Sequence, residues 1–131
     1  MPIDSILDTV RAGLNHERLR LDAASRNIAA ANVAIAPGQA ATQWRVDGAT
    51  SGFGQLLAQP GAIEQAPADA REVHDPGHPF ADANGMVRYP QTDMVQEMTT
   101  LMTASRGYEA NVRSFNLLRN MMLRALEIGA K

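Results

Sequence analysis

The chain contains no cysteine and only one tryptophan. Without cysteine there are no disulfides, thiolate metal sites or cysteine nucleophiles, so the fold is indifferent to the redox state of its compartment. Long hydrophobic runs are also missing, because no apolar stretch approaches the roughly 20 residues of a transmembrane helix. We therefore expect no direct membrane insertion.

A surplus of positive charge is absent as well. The formal net charge is -2 and the arginines are interspersed with acidic residues, so the broad positive field that nucleic acid demands is lacking, and we expect no nucleic-acid partner. The first residues, "MPIDSILDTVRAGL", carry two acids before the first arginine and do not form a cleavable secretory signal. At 131 residues the chain has the size of one structural unit.

The first third of the chain has the pattern of a coiled-coil helix. Leu7, Leu14, Leu21 and Ile28 recur at seven-residue intervals. The complementary positions of this series are also apolar and are interrupted only by Glu17. This spacing predicts a coiled-coil helix over residues 1–33 that packs against a partner helix.

The last third repeats the pattern over a longer span, residues 91–131. The apolar positions of its two series are Met94, Leu101, Tyr108, Phe115 and Met122, and Ala104, Leu118 and Ala125. Asn111 occupies a position of the second series, where a polar side chain sets helix register. Asp93 is the predicted N-cap, in a capping box with Gln96, and Gly129 is the predicted stop of a helix of roughly 35 residues.

The methionines of this C-terminal segment also follow helical spacing, among them Met94, Met98, Met102, Met121 and Met122. Exposed thioethers could form an adaptable binding groove. Their spacing favours core filling instead. His16, among charged residues of the first helix, is expected on a solvated face.

Between the helices, residues 34–90 are rich in Pro, Gly, Ala and Gln, and no long period persists. Short strands are predicted at "TQWRV", "AIEQ", "REVH" and "MVRY". Asn84-Gly85, between "FADA" and "MVRY", predicts a type I′ hairpin. "SGFGQLLAQPG" is predicted to be a mobile loop.

The fold class expected from these patterns is mainly α: two long, heptad-patterned terminal helices flank a short irregular middle segment with a small β-hairpin. A structural joint leads into the second helix, and its predicted residues are Asp75, Pro76, Pro79, Asn84, Gly85 and Pro90.

Two such helices alone are marginally stable, because ordering each residue costs about 1–2 kcal/mol of conformational entropy. The apolar stripe of each helix, which we call its seam, has few large side chains whose burial could offset this cost. We therefore interpret them as assembly elements that complete their burial against other chains. The predicted assembly interface comprises Leu7, Leu14, Leu21, Ile28, Met94, Leu101, Tyr108, Asn111, Phe115, Leu118 and Met122.

Catalytic or metal-binding chemistry has one candidate, the segment around His74 and His78. Asp75 and Asp82 lie nearby, but Pro76 and Pro79 forbid the helix on which two histidines four residues apart would share a metal. The middle segment is also too poor in large apolar residues to enclose a dry pocket. We expect no enzyme, metal, cofactor or small-molecule substrate, and an enzymatic hypothesis rests on His74, Asp75 and His78 alone.

The segment from Asp75, "DPGHPFADANGMVRYPQTDMVQEMTTLMTASRGYEANVRSFNLLRNMMLRALEIG", closely resembles the C-terminal part of the bacterial flagellar proximal rod proteins of the FlgC type. The residues that carry this match are Asp75, Pro76, His78, Pro79, Ala81, Gly85, Val87, Pro90, Glu97, Met98, Ala104, Arg106, Tyr108, Ala110, Asn111 and Asn116. The N-terminal "RLRLDAASRNIAAAN" resembles the rod and hook motif through Asn27, Ile28 and Ala29, with Ala30 where the family has Asn.

This resemblance implies a structural subunit that stacks helically into the rod of the flagellar basal body, with its terminal helices in the inner coiled-coil layer. Such a subunit connects the membrane ring to the distal rod and transmits torque. The implied partners are copies of itself, other flagellar rod proteins and the flagellar type III export apparatus. Its implied location is the rod, which spans the periplasm, reached from the cytoplasm without a cleaved signal peptide. The alternative is a soluble helical adaptor or chaperone-like binding module that uses the same seams.

Overall fold

The computed structural model of the chain describes residues 2–47 and 61–129. Within them the fold is mainly helical, with two antiparallel strand pairs between two long helices. Its elements in chain order are α1 (Pro2–Ala30), β1 (Thr42–Val46), β2 (Ile63–Pro67), β3 (Ala70–His74), β4 (Met86–Pro90) and α2 (Met94–Gly129). The predicted fold class is confirmed, except that the middle holds two strand pairs instead of one hairpin.

The second helix begins where the sequence predicts. The Asp93 carboxylate accepts hydrogen bonds from the backbone N–H groups of Val95 and Gln96, at 3.0 and 3.1 Å, and so satisfies two donors that the first turn of a helix leaves free. The helix runs for 36 residues and Gly129 is its last residue. The N-cap prediction and the predicted length are confirmed.

All four predicted strands form, and their pairing could not be predicted from local sequence. β1 pairs with β2, from Thr42 opposite Pro67 to Val46 opposite Ile63. β3 pairs with β4, from Ala70 opposite Pro90 to His74 opposite Met86. The predicted loop "SGFGQLLAQPG" lies, apart from Gly61, outside the described residues.

The type I′ hairpin predicted at Asn84-Gly85 is wrong. "FADA" is not a strand, and β4 pairs with β3 across the loop of residues 75–85. Gly85 has a φ of 74°, but Asn84 does not have the positive φ that a type I′ turn needs at both central residues. The reason is Asp82, whose Oδ1 accepts hydrogen bonds at 2.8 Å from the N–H groups of Asn84 and Met86 and closes the turn itself.

The buried core is small and made mostly of alanine. Val87 on β4 is the largest side chain that is completely buried among the described residues. The other buried apolar residues are Ala23, Ala24, Ala31, Ala41, Val46 and Ala104. Small residues let backbones approach closely, but they bury little apolar surface, so this core contributes less stability than one built of leucine and phenylalanine.

Helices α1 and α2 pack antiparallel, and small residues determine their register. A Cβ atom added at Gly13 would lie 3.1 Å from Asn111 Nδ2, and one added at Gly107 would lie 2.9 Å from Glu17 Cδ. Glu17, which interrupts the apolar series of α1, therefore fits into the space that Gly107 leaves. Arg20 holds it there through a 3.0 Å bond from Nη1 to Oε2.

Gly85 tests the turn before β4. Its φ of 74° lies in the left-handed region, and an added Cβ would be 3.1 Å from both His74 Cε1 and Pro76 Cβ. We expect Gly85→Ala to lower the free energy of unfolding by about 1–3 kcal/mol in chemical denaturation. The control Gly77→Ala, whose Cβ would meet nothing nearer than Asp75 Oδ1 at 3.7 Å, should change it by less than about 0.5 kcal/mol. Equal effects of the two changes would contradict this account of the turn.

A double-mutant cycle at Glu17 and Gly107 tests the helix register. Alanine normally stabilises a helix relative to glycine by about 0.5–1 kcal/mol. In the wild-type background Gly107→Ala should stabilise the protein by less than this amount or destabilise it, because the new methyl group displaces Glu17 from Arg20. In a Glu17→Ala background Gly107→Ala should give the full stabilisation expected for alanine in a helix. The coupling energy between the two positions is then about 0.5–3 kcal/mol. Additive effects would show that the two residues do not meet.

Candidate functional site

The residues predicted as the assembly interface are only partly covered within the chain. Met94 and Tyr108 are exposed, by 36% and 39% of their surface. The half-buried members are Leu7, Leu14, Leu21, Ile28, Leu101, Asn111, Phe115, Leu118 and Met122. Leu7, Leu118 and Met122 line one groove between α1 and α2, and Asn111 lies against Gly13. Part of the predicted interface therefore packs between the two helices of one chain. None of its residues is fully buried by that packing.

Among the described residues, Asn27 is 5% exposed and makes three side-chain hydrogen bonds. Its Nδ2 donates to the Trp44 carbonyl at 2.9 Å and to Glu97 Oε1 at 3.0 Å. Its Oδ1 accepts from the Trp44 N–H at 2.7 Å. One side-chain amide thus uses both donors and its acceptor to join α1, β1 and α2. We call Asn27, Trp44 and Glu97 the asparagine junction.

The guanidinium of Arg26 covers the outer side of this junction. It lies 4.8 Å from the centre of the Trp44 ring, within the range of a cation–π contact. Its Nε donates a hydrogen bond of 2.9 Å to Asp22 Oδ1, which holds the guanidinium in this position. Sequence reasoning found Asn27 and Glu97 through a family resemblance but missed Trp44, because the pairing of a lone tryptophan with a helix distant in sequence leaves no local signal.

The Glu97 carboxyl sits in a partly dehydrated position at the junction. Burial raises its pKa above the ordinary value, and the negative charge of Asp93 raises it further. The hydrogen bond from Asn27 acts in the opposite direction, because it stabilises the ionised form. Ionised Glu97 is therefore less favourable in the folded chain than in water.

An open cavity of about 660 Å³ lies beside the junction, between α1, β1 and α2. His16, Arg20 and Glu64 are among its lining residues. The prediction that His16 lies on a solvated face is wrong: the residue is half-buried and its Nδ1 is buried without a hydrogen-bond partner among the described residues. The reason is its position on α1, where His16 lines the cavity between the two helices and β1.

The joint residues occupy the loop between β3 and β4, and Pro90 ends β4. His78 Nδ1 accepts a hydrogen bond from the Phe80 N–H at 3.1 Å, and the two rings are 5.6 Å apart. Asp75 meets His78 through the backbone, where its carbonyl accepts from the His78 N–H at 3.2 Å. Over residues 2–47 and 61–129, no group of three or more histidine, aspartate and glutamate side chains is placed to hold a metal.

Several large apolar side chains of α2 project away from the chain. The prediction that the methionines fill the core is wrong for Met98, Met102 and Met121, which are 53%, 59% and 59% exposed. Leu117, Leu123, Leu126 and Ile128 are exposed as well. In the part of the chain that the structure describes, no helix is both long and apolar enough to cross a membrane.

Residues 83–128 match the family model described as the C-terminal part of flagellar basal body rod FlgEFG proteins. The chain is 36% identical to the flagellar basal-body rod protein FlgC of Salmonella typhimurium, over 98% of this chain and 99% of that protein. It is 34% identical to the protein of the same name from Escherichia coli O6:H1, with the same coverage. The FlgC of Borreliella burgdorferi is 29% identical over 98% of both chains. The similarity therefore includes both helices and the middle segment.

Substituting Glu97 tests the electrostatics of the junction. A carboxyl whose pKa is raised on folding binds its proton more tightly in the folded state, so its ionisation penalty is fully present above the folded pKa and disappears as the pH falls below the ordinary value of 4.5. We expect Glu97→Gln, which can still accept from Asn27, to be more stable than wild type at pH 7, and this advantage to vanish near pH 4. Thermal unfolding of both proteins across this range measures the difference. A glutamine variant that is less stable at pH 7 would contradict the assignment.

Proposed function

The chain belongs to the FlgC family of flagellar basal-body rod proteins, and from this membership we propose that it builds the rod by assembling through its two terminal helices. In this role it links the membrane ring to the distal rod and transmits torque. The function requires no catalysis and no cofactor. It depends on which surfaces the folded chain leaves available to neighbouring subunits.

The observation that carries this proposal is the contrast between the core and the surface of α2. Complete burial is limited to alanine and valine among the described apolar residues, whereas leucine, isoleucine and methionine side chains stay exposed along the helix. A helix that is apolar on several sides belongs in the interior of an assembly, since it loses hydrophobic stabilisation when it stands alone. Neighbouring subunits would supply the missing contacts.

The asparagine junction suits a subunit that carries load. It connects both helices to β1 by three hydrogen bonds, and β1 carries β2. A displacement of one helix relative to the other would break bonds to a buried amide, which costs about 1–3 kcal/mol for each group left without a partner. The helix pair and the first strand pair would therefore move together under torque.

The partners we propose are copies of this chain, other flagellar rod proteins and, during export, the flagellar type III export apparatus. The proposed location is the rod, where it spans the periplasm.

A binding module or adaptor is the second candidate, and the exposed methionines favour it, because unbranched thioether side chains adapt to differently shaped partners. The two functions predict different sizes for the complexes that the chain forms. A rod subunit enters a filament, whereas an adaptor stops at a small complex of fixed size, so sedimentation of the purified chain over a concentration series distinguishes them.

Phe115 and Arg119 provide a matched pair for testing the proposal in cells. Phe115 lies half-buried in the unbroken seven-residue series, whereas Arg119 is exposed one turn further along the same helix. Phe115→Asp places a charge in the helix interface at a cost of several kcal/mol. We expect this variant to be produced and exported but to be missing from isolated basal bodies, with loss of swimming, and Arg119→Ala to behave as wild type. Normal incorporation of the Phe115→Asp variant would contradict the proposed assembly surface.

A further inference from the structure

Helix α2 leaves an apolar surface near its beginning, where Val95, Met98 and Met102 are exposed. We call these three residues the methionine patch. With 3.6 residues per turn they follow one stripe of the helix, and this stripe faces away from the side on which Glu97, Ala104 and Asn111 lie against α1. The methionine patch is therefore left open by the helix pair.

A second apolar surface lies at the other end of α2, where it packs beside the start of α1. It is a groove of about 390 Å³. We call it the helix-end groove, and its lining residues are Ile6, Leu7, Leu118, Met121, Met122, Ala125 and Leu126. Its exposed walls are almost entirely apolar, and the room inside it is enough for several side chains of methionine size.

The patch and the groove face different directions. Met102 of the patch and Met121 of the groove are offset by roughly 100° around the helix and about 28 Å along it. One straight neighbouring helix therefore cannot cover both surfaces at once. A closed symmetric dimer formed through either surface would leave the other exposed in both copies.

The two halves of α2 also differ in charge. In the half of α2 that carries the methionine patch, from the N-cap Asp93 to Glu109, there are three acidic residues and one arginine. One of these acids, Glu97, lies on the α1 side, where it bonds to Asn27. Around the helix-end groove, from Arg113 to Ile128, there are three arginines and one glutamate. Like halves of two copies repel, and unlike halves attract, so the charges favour contact between the beginning of one α2 and the end of another.

We propose that the methionine patch of one copy of this chain occupies the helix-end groove of a second copy, in an open head-to-tail contact. The proposal deepens the proposed function and rests on it. A contact between two different surfaces leaves one of each free at the ends of an open complex, so it adds further copies unless the rotation between copies closes a ring. It covers both apolar surfaces of each interior copy and pairs the acidic half of one helix with the basic half of the next.

Disulfide trapping tests this contact cleanly, because the chain has no cysteine of its own. Met98→Cys and Met121→Cys are made as separate proteins with tags of different size, then mixed and oxidised, both as purified chains and in basal bodies from cells that produce both. Met102→Cys with Leu126→Cys is the second pair. In the control, Asn120→Cys, which is exposed on the polar stripe of α2, replaces Met121→Cys.

We expect dimers of unequal tags in the mixtures, none in either protein alone, and none with the control. A chain carrying both substitutions should form a ladder of oligomers. Dimers from Met98→Cys alone would overturn the proposal in favour of a symmetric contact. Basal bodies that contain the chain but yield no cross-link with either pair would overturn it while leaving the proposed function intact, whereas absence of the wild-type chain from basal bodies would remove the proposed function itself.

Discussion

The buried amide of Asn27 is the constraint on which the rest of the described structure depends. It is the one side chain found to bond α1, β1 and α2 together, and each of its polar atoms has a partner there. Buried donors and acceptors without partners are costly, so the three elements are held in a single arrangement. The position of β1, and through it β2, relative to the helix pair follows from this residue.

The helix pair is likewise held in register by small and polar residues. Gly13 and Gly107 make room for Asn111 and Glu17, so that polar side chains in the seam specify one register without the large apolar residues that would normally do so. The chain thereby fixes its own fold with small and polar contacts. Several leucine and methionine side chains remain exposed on the surface of α2, where the proposed rod contacts would use them.

The sequence predicts those features that depend on local spacing and fails where distant residues meet. The two helices, the cap at Asp93 and the four strands all follow from short-range patterns and are confirmed. The pairing of β3 with β4 depends on the side chain of Asp82 and on a distant partner strand, which Asn84-Gly85 alone does not reveal. The exposure of Met98 and Met102 is equally invisible, because helical spacing assigns residues to a stripe without showing what covers that stripe.

If this chain builds the rod, deletion of its gene in the bacterium that encodes it should prevent rod assembly. Electron microscopy of isolated basal bodies and swimming in soft agar are the two readouts, with the wild-type gene restored on a plasmid as the control. We expect the deletion strain to have no complete rods and not to swim, and the plasmid to restore both. Intact rods together with full swimming in the deletion strain would contradict this expectation.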